Sequence, residues 1–523
     1  MKYILFFILV LPCFINAQEK SWHHLDPIDD DVLGISTQKA NEFLASKKAD
    51  TVIVAIIDNG VELTHEDLQG TFWVNPYEIP GNGIDDDQNG YIDDIHGWNF
   101  IGNQNGENLK METTGLTRMY ALLSKEFEGK SEEEIDSEKM DDFRKFQTVK
   151  EVYEAEVESK KVDIAYYNKV LMILSLSEEV MTKYFNKSDY TENEVRKIKT
   201  KDQDVLDFKE FLIQVYDSNL DRKSIEKKIE DLNKELETRL NPNFKNRENI
   251  VGDNPDDLTD SIYGNNMVHV KGPYHGTGVA SIVGALNNDF GIDGVAKHVK
   301  LMIIRIVPNG DERDKDIALA FRYAVKNGAD IISCSFAKKY SMHPEFVEKA
   351  VDEAEKAGVL IVLAAGNNGN NNDETPYYPT GLNERGSKAK NFITVGASRE
   401  NDDEDLAAFF SNYGKKTVDI FAPGYNIDNC VLSNGYGKGS GTSTAAPVVA
   451  GMAAVLKSYY PHLSAQELKE IIMKSAYIPK TKKVNLPNLS KKEFIDFKEL
   501  SVAGGIANLY RAVMLVEKEY QDN

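Results

Sequence analysis

The chain has 523 residues, 41% of them hydrophobic and 28% charged, and a formal net charge of −23. Such a balance belongs to a globular protein long enough for about two to four domain-sized cores, and it excludes disorder of the whole chain. A surface this acidic repels nucleic-acid phosphate and anionic membrane faces, and no basic cluster compensates for it.

At the N-terminus, Lys2 precedes an apolar run over residues 4–15, followed by Asn16 and Ala17. This pattern predicts a secretory signal peptide over 1–17, cleaved after Ala17, and hence an exported protein, periplasmic or extracellular. An uncleaved anchor, or a lipid on Cys13, is the alternative. No later stretch reaches 18 consecutive apolar residues, so no integral membrane segment is expected in the mature chain. Its two cysteines, Cys334 and Cys430, could form one disulfide by count, but they read better as small buried thiols.

Residues 51–57, apolar without a break from Val52, read as a strand buried on both faces, and Asp58-Asn59-Gly60 follows directly. Residues 85–94 place Asp85, Asp87, Asn89 and Asp93 at alternating positions, with Gly90 to turn the chain. That spacing of oxygen donors predicts a structural calcium site rather than a solvated acidic turn, although His96 at the twelfth position argues against an EF-hand. From Lys130 to Val251 there is no glycine, and Pro242 is the single proline. Within that tract Phe143, Phe146, Val149 and Val152 form an apolar stripe. So do Val205, Phe208, Phe211, Leu212 and Val215, and again Ile225, Ile229, Leu232, Leu236 and Leu240. Residues 107–248 are therefore expected to be an inserted all-α region of three or four helices, dividing a core made of 18–106 and 249–523.

After the insertion, buried-strand runs at 300–307, 329–335, 359–364 and 392–395 alternate with amphipathic helices. Ile317, Phe321, Ala324 and Val325 share one helix face closed by Gly328, and the next helix is closed by Gly358. This rhythm predicts an α/β domain with a mostly parallel sheet covered on both faces, and ligands at the carboxyl ends of its strands.

Three polar residues sit where such a sheet exposes chemistry. Asp58 follows a strand. His275 opens His-Gly-Thr-Gly-Val-Ala at a helix start, and Ser443 lies in Gly-Thr-Ser-Thr-Ala-Ala-Pro at the head of a long helix. Alone, Asp58 reads better as a turn or capping residue and Ser443 could be an N-cap, while His275 carries more signal. Together, in the order Asp, His, Ser, they supply a nucleophile, a base and a group to orient the base.

In its blocks 54–68, 274–296, 364–369 and 421–454 the chain resembles the subtilisin-like serine proteases, the subtilases. The resemblance implies a subtilisin-like three-layer domain and a serine endopeptidase that acts on polypeptides, with Ser443 as nucleophile, His275 as general base and Asp58 orienting the imidazole. It implies Asn367 as an oxyanion-hole donor, Ser335-Phe336-Ala337 as the edge that pairs with extended substrate, and Gly366 as a further substrate-binding residue. It also implies a second structural Ca2+ site at Asp67 with the 286–292 loop: Asn288 through its side chain, and Leu286, Phe290 and Ile292 through their carbonyls. Asn59, Gly278, Ser281 and Ala337 depart from the usual family pattern without removing a catalytic group. About thirty residues separate Ala17 from the first strand, too few for the inhibitory prodomain many subtilases carry. Restraint is expected instead from the helical insertion, placed beside the cleft. The alternative is a catalytically silent subtilase-fold binding protein that uses those helices. A lipase-type hydrolase fits less well, because its histidine comes last in the chain. His23 and His24, with no third ligand nearby, read as exposed sequence rather than a metal site.

Overall fold

The computed structural model describes residues 21–272, 274–288, 290–488 and 493–520. The signal segment 1–17 and Cys13 lie outside the described residues. Seven strands, β1 (Val52–Asp58), β2 (Gly97–Asn99), β3 (Val299–Arg305), β4 (Ile331–Cys334), β5 (Leu360–Ala364), β6 (Phe392–Ser398) and β7 (Ile420–Pro423), form one sheet. Their order is β2-β3-β1-β4-β5-β6-β7, and every pairing is parallel.

The period of two along each strand explains why these runs are apolar throughout. In β1, Val54 and Ile56 enter the core on one face, while Ala55 and Ile57 enter the core on the other. Leu301 and Ile303 alternate with Met302 and Ile304 in the same way. The first face is covered by helices His275–Gly284, Thr442–Tyr459, Ala465–Lys474 and Leu509–Glu519. The second is covered by Asp314–Lys326 and Pro344–Ala357. Strand β1 lies between β3 and β4 near the middle of the sheet, so its C-terminal end opens on a crevice flanked by both neighbours.

Between β2 and the His275–Gly284 helix the chain makes a set of helices, among them Gly115–Phe127, Gln203–Asp217, Arg222–Glu237 and a 46-residue helix, Met140–Phe185. That helix alone is about 69 Å long. Its far half packs through Val170, Leu174 and Met181 on Val205, Leu212 and Ile225, which uses the stripes visible in the sequence. Its near half packs through Val149 and Tyr153 on Leu116 and Met119, and this second cluster includes Tyr340 and Met342 from the loop after β4. Residues 108–112 already belong to the core edge, with Leu109 donating to Ile101 O at 2.7 Å and Glu112 to Asn309 O at 3.0 Å.

Cys334 and Cys430 are both buried free thiols. His23 is 1% exposed, so the expectation that it is exposed sequence is corrected: its ring packs at 4.0 Å from that of His24, inside the N-terminal segment. Among the described residues, no helix is long and apolar enough to cross a membrane.

Candidate active site

Asp58 is the last residue of β1 and is 2% exposed. The chain turns away at Gly60, whose φ of +101° and close approach to Val268 O leave no room for a side chain. Beyond this turn His275 begins its helix. Its Nδ1 lies 3.0 and 2.9 Å from the two Asp58 oxygens. The Asp58 charge raises the imidazole pKa above its ordinary value; burial opposes the shift and the charge of Glu312 adds to it. The pair is held from below by Asn59, whose amide donates to Asp58 Oδ1 at 2.7 Å and whose Oδ1 accepts from Gly276 N at 3.0 Å.

The unusual residues after His275 have structural work. Gly278 packs against Asn429 in the strand β8 (Ile427–Val431). Ser281 Oγ donates to Gly278 O at 2.8 Å and accepts from Cys430 N at 2.9 Å. They tie the histidine helix to β8.

Ser443 is the second residue of the Thr442–Tyr459 helix, which packs against the histidine helix. A Cβ on Gly441 would lie 2.8 Å from Ser443 Oγ and 3.3 Å from Asn367 Nδ2, so the hydroxyl and the amide nitrogen converge on one small space that glycine keeps open. The orientation of Asn367 is fixed because its Oδ1 accepts from Thr442 N at 2.8 Å and Thr442 Oγ1 at 3.0 Å. Behind it, the buried Asn412 accepts from Asn368 N and Asn370 N and donates to Ala365 O, which shapes the asparagine-rich loop. Gly366, at φ +108°, donates to Thr442 Oγ1 at 3.0 Å and could carry no side chain beside Asn412.

Of the expected substrate edge, Ser335 donates through Oγ to Ser443 O at 2.8 Å. Phe336 is 7% exposed and belongs to the apolar core, and Ala337 is half-buried beside it. Thr442, Asn412 and Glu312 were given no role by the sequence reading, and Asn59 entered it only as a departure from the family pattern. Only Asn59 and Thr442 carried a signal, as neighbours of Asp58 and Ser443.

Two regions fit a cation. Asp67 is fully buried, its Oδ2 accepts from Ile292 N at 2.8 Å, and its Oδ1 has no partner, while burial raises its pKa. The 286–292 loop closes on it through Leu286 N to Asp67 O at 2.9 Å and the close approach of Gly291. An orphaned buried carboxylate oxygen ringed by a loop suits calcium. In the acidic loop, carboxylate oxygens of Glu78, Asp87 and Asp94 lie within 4.8 Å of one another. Asp85 and Asp93 instead accept backbone amides, from Asn89 and Gly90 and from Gly81, Asn82 and Gly83 respectively. Asn89 joins Asp87 and Asp94 through its Nδ2. Of the expected ligands Asp87 thus stands in the carboxylate group. Glu78 and Asp94 were missed, because they fall outside the alternating spacing.

A carboxylate–imidazole pair, a serine at a helix head and a fixed amide donor on a parallel α/β sheet define the class of site seen in serine hydrolases. The sequence profile of the subtilase family matches residues 49–496, and the chain belongs to that family. It is 35% identical over 203 residues to the alkaline elastase YaB of Bacillus sp. strain YaB, covering 39% of this chain and 50% of that one. It is 40% identical over 186 residues to the thermophilic serine proteinase of Bacillus sp. strain AK1, covering 35% and 42%. Against subtilisin DY of Bacillus licheniformis it is 34% identical over 210 residues, covering 40% and 72%. The chain thus spans about half the length of the first two relatives.

Proposed function

We propose that this chain is an exported serine endopeptidase that hydrolyses peptide bonds of polypeptides through Ser443, His275 and Asp58. His275 takes the Ser443 proton as the hydroxyl attacks the scissile carbonyl, and then returns it to the leaving amine. Asp58 keeps Nδ1 protonated and stabilises the imidazolium. Asn367 Nδ2 and the Ser443 backbone amide receive the oxyanion. The observation that carries this reading is the joint placement of the Asp58–His275 pair and the Ser443–Asn367 convergence at one end of the sheet.

Family membership and names such as alkaline elastase and serine proteinase among the relatives support it. The N-terminal apolar run supports export. Ca2+ would be held by Asp67 with Asn288 and the carbonyls of Leu286, Phe290 and Ile292, and by Glu78, Asp87 and Asp94. Its contribution there is to cross-link loops, and no catalytic step passes through it. The helices from Gly115 to Glu237 are an inserted unit whose near end narrows access to the cleft, a reading supported by the packing of Tyr340 and Met342 on Leu116 and Met119.

Digestion of unfolded casein by the purified chain tests the reading. Internal cleavage products that vanish in Ser443→Ala are expected, and undigested casein with both proteins would reject it.

A further inference from the structure

Strands β4 and β5 stay paired from Ile331 and Leu360 as far as Cys334 and Leu363, and beyond that point their chains part. One branch, 335–337, is tied to the nucleophile by the Ser335 Oγ bond to Ser443 O. The other, 365–367, is tied to the same helix head, because Gly366 N donates to Thr442 Oγ1 and Asn367 Oδ1 accepts from Thr442 N. The gap between the branches therefore opens beside Ser443, at the carboxyl ends of two neighbouring strands, where a sheet of this kind takes its ligands.

Tyr377 spans that gap. Its neighbour Tyr378 forms an antiparallel bridge with Lys338, in which Lys338 N donates to Tyr378 O at 3.0 Å and Tyr378 N donates to Lys338 O at 2.7 Å. The tyrosine's backbone thus runs along the end of the first branch. Its ring lies against the second: a Cβ on Gly366 would stand 3.1 Å from Tyr377 Cδ1. The far end of the ring is fixed, since the hydroxyl donates to Asn368 Oδ1 at 3.0 Å and accepts from Asn370 Nδ2 at 2.9 Å. Asn412 in turn accepts from the backbone amides of both asparagines, so the ring cannot swing aside without breaking bonds to a loop that is itself held. Tyr377 is only half-buried, which leaves it open to contact by a bound chain.

A scissile carbonyl at Ser443, with its oxygen toward Asn367 Nδ2, has the side chain of its own residue two bonds away, at the mouth of this gap. We propose that Tyr377 is the specificity-determining residue for that side chain: its ring occupies the depth of the gap, so the cleaved bond follows a small residue such as alanine, glycine or serine. The proposal rests on the peptidase reading of the site and names the substrate class within it. A leucine or phenylalanine there must displace a ring anchored at its far end, and a clash of that kind discriminates without any charge.

The test maps, by mass spectrometry of the products, the bonds that the purified chain cuts in a mixture of unfolded casein and unfolded serum albumin. Cleavage after alanine, glycine and serine is expected to exceed cleavage after leucine and phenylalanine about tenfold or more per available bond, within the range that a shaped pocket reaches. Tyr377→Ala is expected to lower that ratio about tenfold by admitting the large residues, while Tyr377→Phe, which keeps the ring, keeps the preference. A wild-type chain that cuts mainly after large residues overturns the proposal, and so does a Tyr377→Ala map that matches the wild type. If Tyr377→Ala does not fold, Tyr377→Val must lower the ratio, and an unchanged ratio overturns the proposal equally. Absence of any cleavage rejects the peptidase reading and this proposal with it, whereas cleavage without the small-residue preference rejects this proposal alone.

Discussion

Asn367 accepts two hydrogen bonds from Thr442, through the amide at 2.8 Å and the hydroxyl at 3.0 Å, and this leaves its Nδ2 facing the space beside Ser443. The amide cannot flip without placing its own donor, Nδ2, against both Thr442 donors. Loss of the donor in Asn367→Ala is expected to lower kcat about 10²- to 10³-fold with little change in KM. Thr442→Val removes the hydroxyl but not the backbone donor and should cost less. Steady-state kinetics on one peptide substrate checks both, and a KM effect larger than the kcat effect in Asn367→Ala would place that residue in ground-state binding.

The pH profile follows from the sign of the histidine shift. Attack requires neutral His275, so kcat/KM rises with pH as the imidazolium loses its proton. The Asp58 charge raises that pKa above 6.5, so the midpoint of the acid limb is expected above 6.5. In Asp58→Asn the midpoint should fall and kcat should drop about 10⁴-fold. A pH–rate series on the two proteins tests this.

Calcium should act on stability before it acts on catalysis. A cation bound to the folded state at a hundred times its Kd adds about 2.7 kcal/mol. Melting temperature is therefore expected to fall when the chain is treated with a chelator and to recover with added calcium. Asp67→Ala should lose part of that response, since the orphaned oxygen that attracts the ion is gone. Thermal unfolding at fixed protein concentration measures it.

The returning end of the helical region is anchored by charge. Arg247, 3% exposed, donates to Asp316 at 2.7 and 2.8 Å and to Asp253 at 2.8 and 2.9 Å, and the fully buried Lys315 also reaches Asp253. Arg247→Ala leaves the buried Asp316 without its cation and Asp253 with Lys315 alone, and should destabilise the fold by about 3–5 kcal/mol. Urea unfolding gives the value.

The parallel sheet was legible because strands buried on both faces are continuous apolar runs, and the residues of the proposed triad, Asp58, His275 and Ser443, stood out because each lies at the end of an element. The helices between 115 and 237 were legible from their stripes and the missing glycines. The short strands β2 and β7 were not, because three or four residues carry too little periodicity. The Glu78–Asp87–Asp94 grouping was hidden because Glu78 comes from an earlier turn and Asp94 sits one place off the alternating pattern. Glu312 was invisible, since a single glutamate in a polar loop looks solvated until the structure buries it.

The most direct test of the account is labelling of the purified chain by a fluorophosphonate probe, with the modified residue located by mass spectrometry. The account predicts a single adduct on Ser443 that is absent in Ser443→Ala and strongly slowed in His275→Ala. No adduct on Ser443 in a folded chain, or an adduct that forms equally fast without His275, would contradict it.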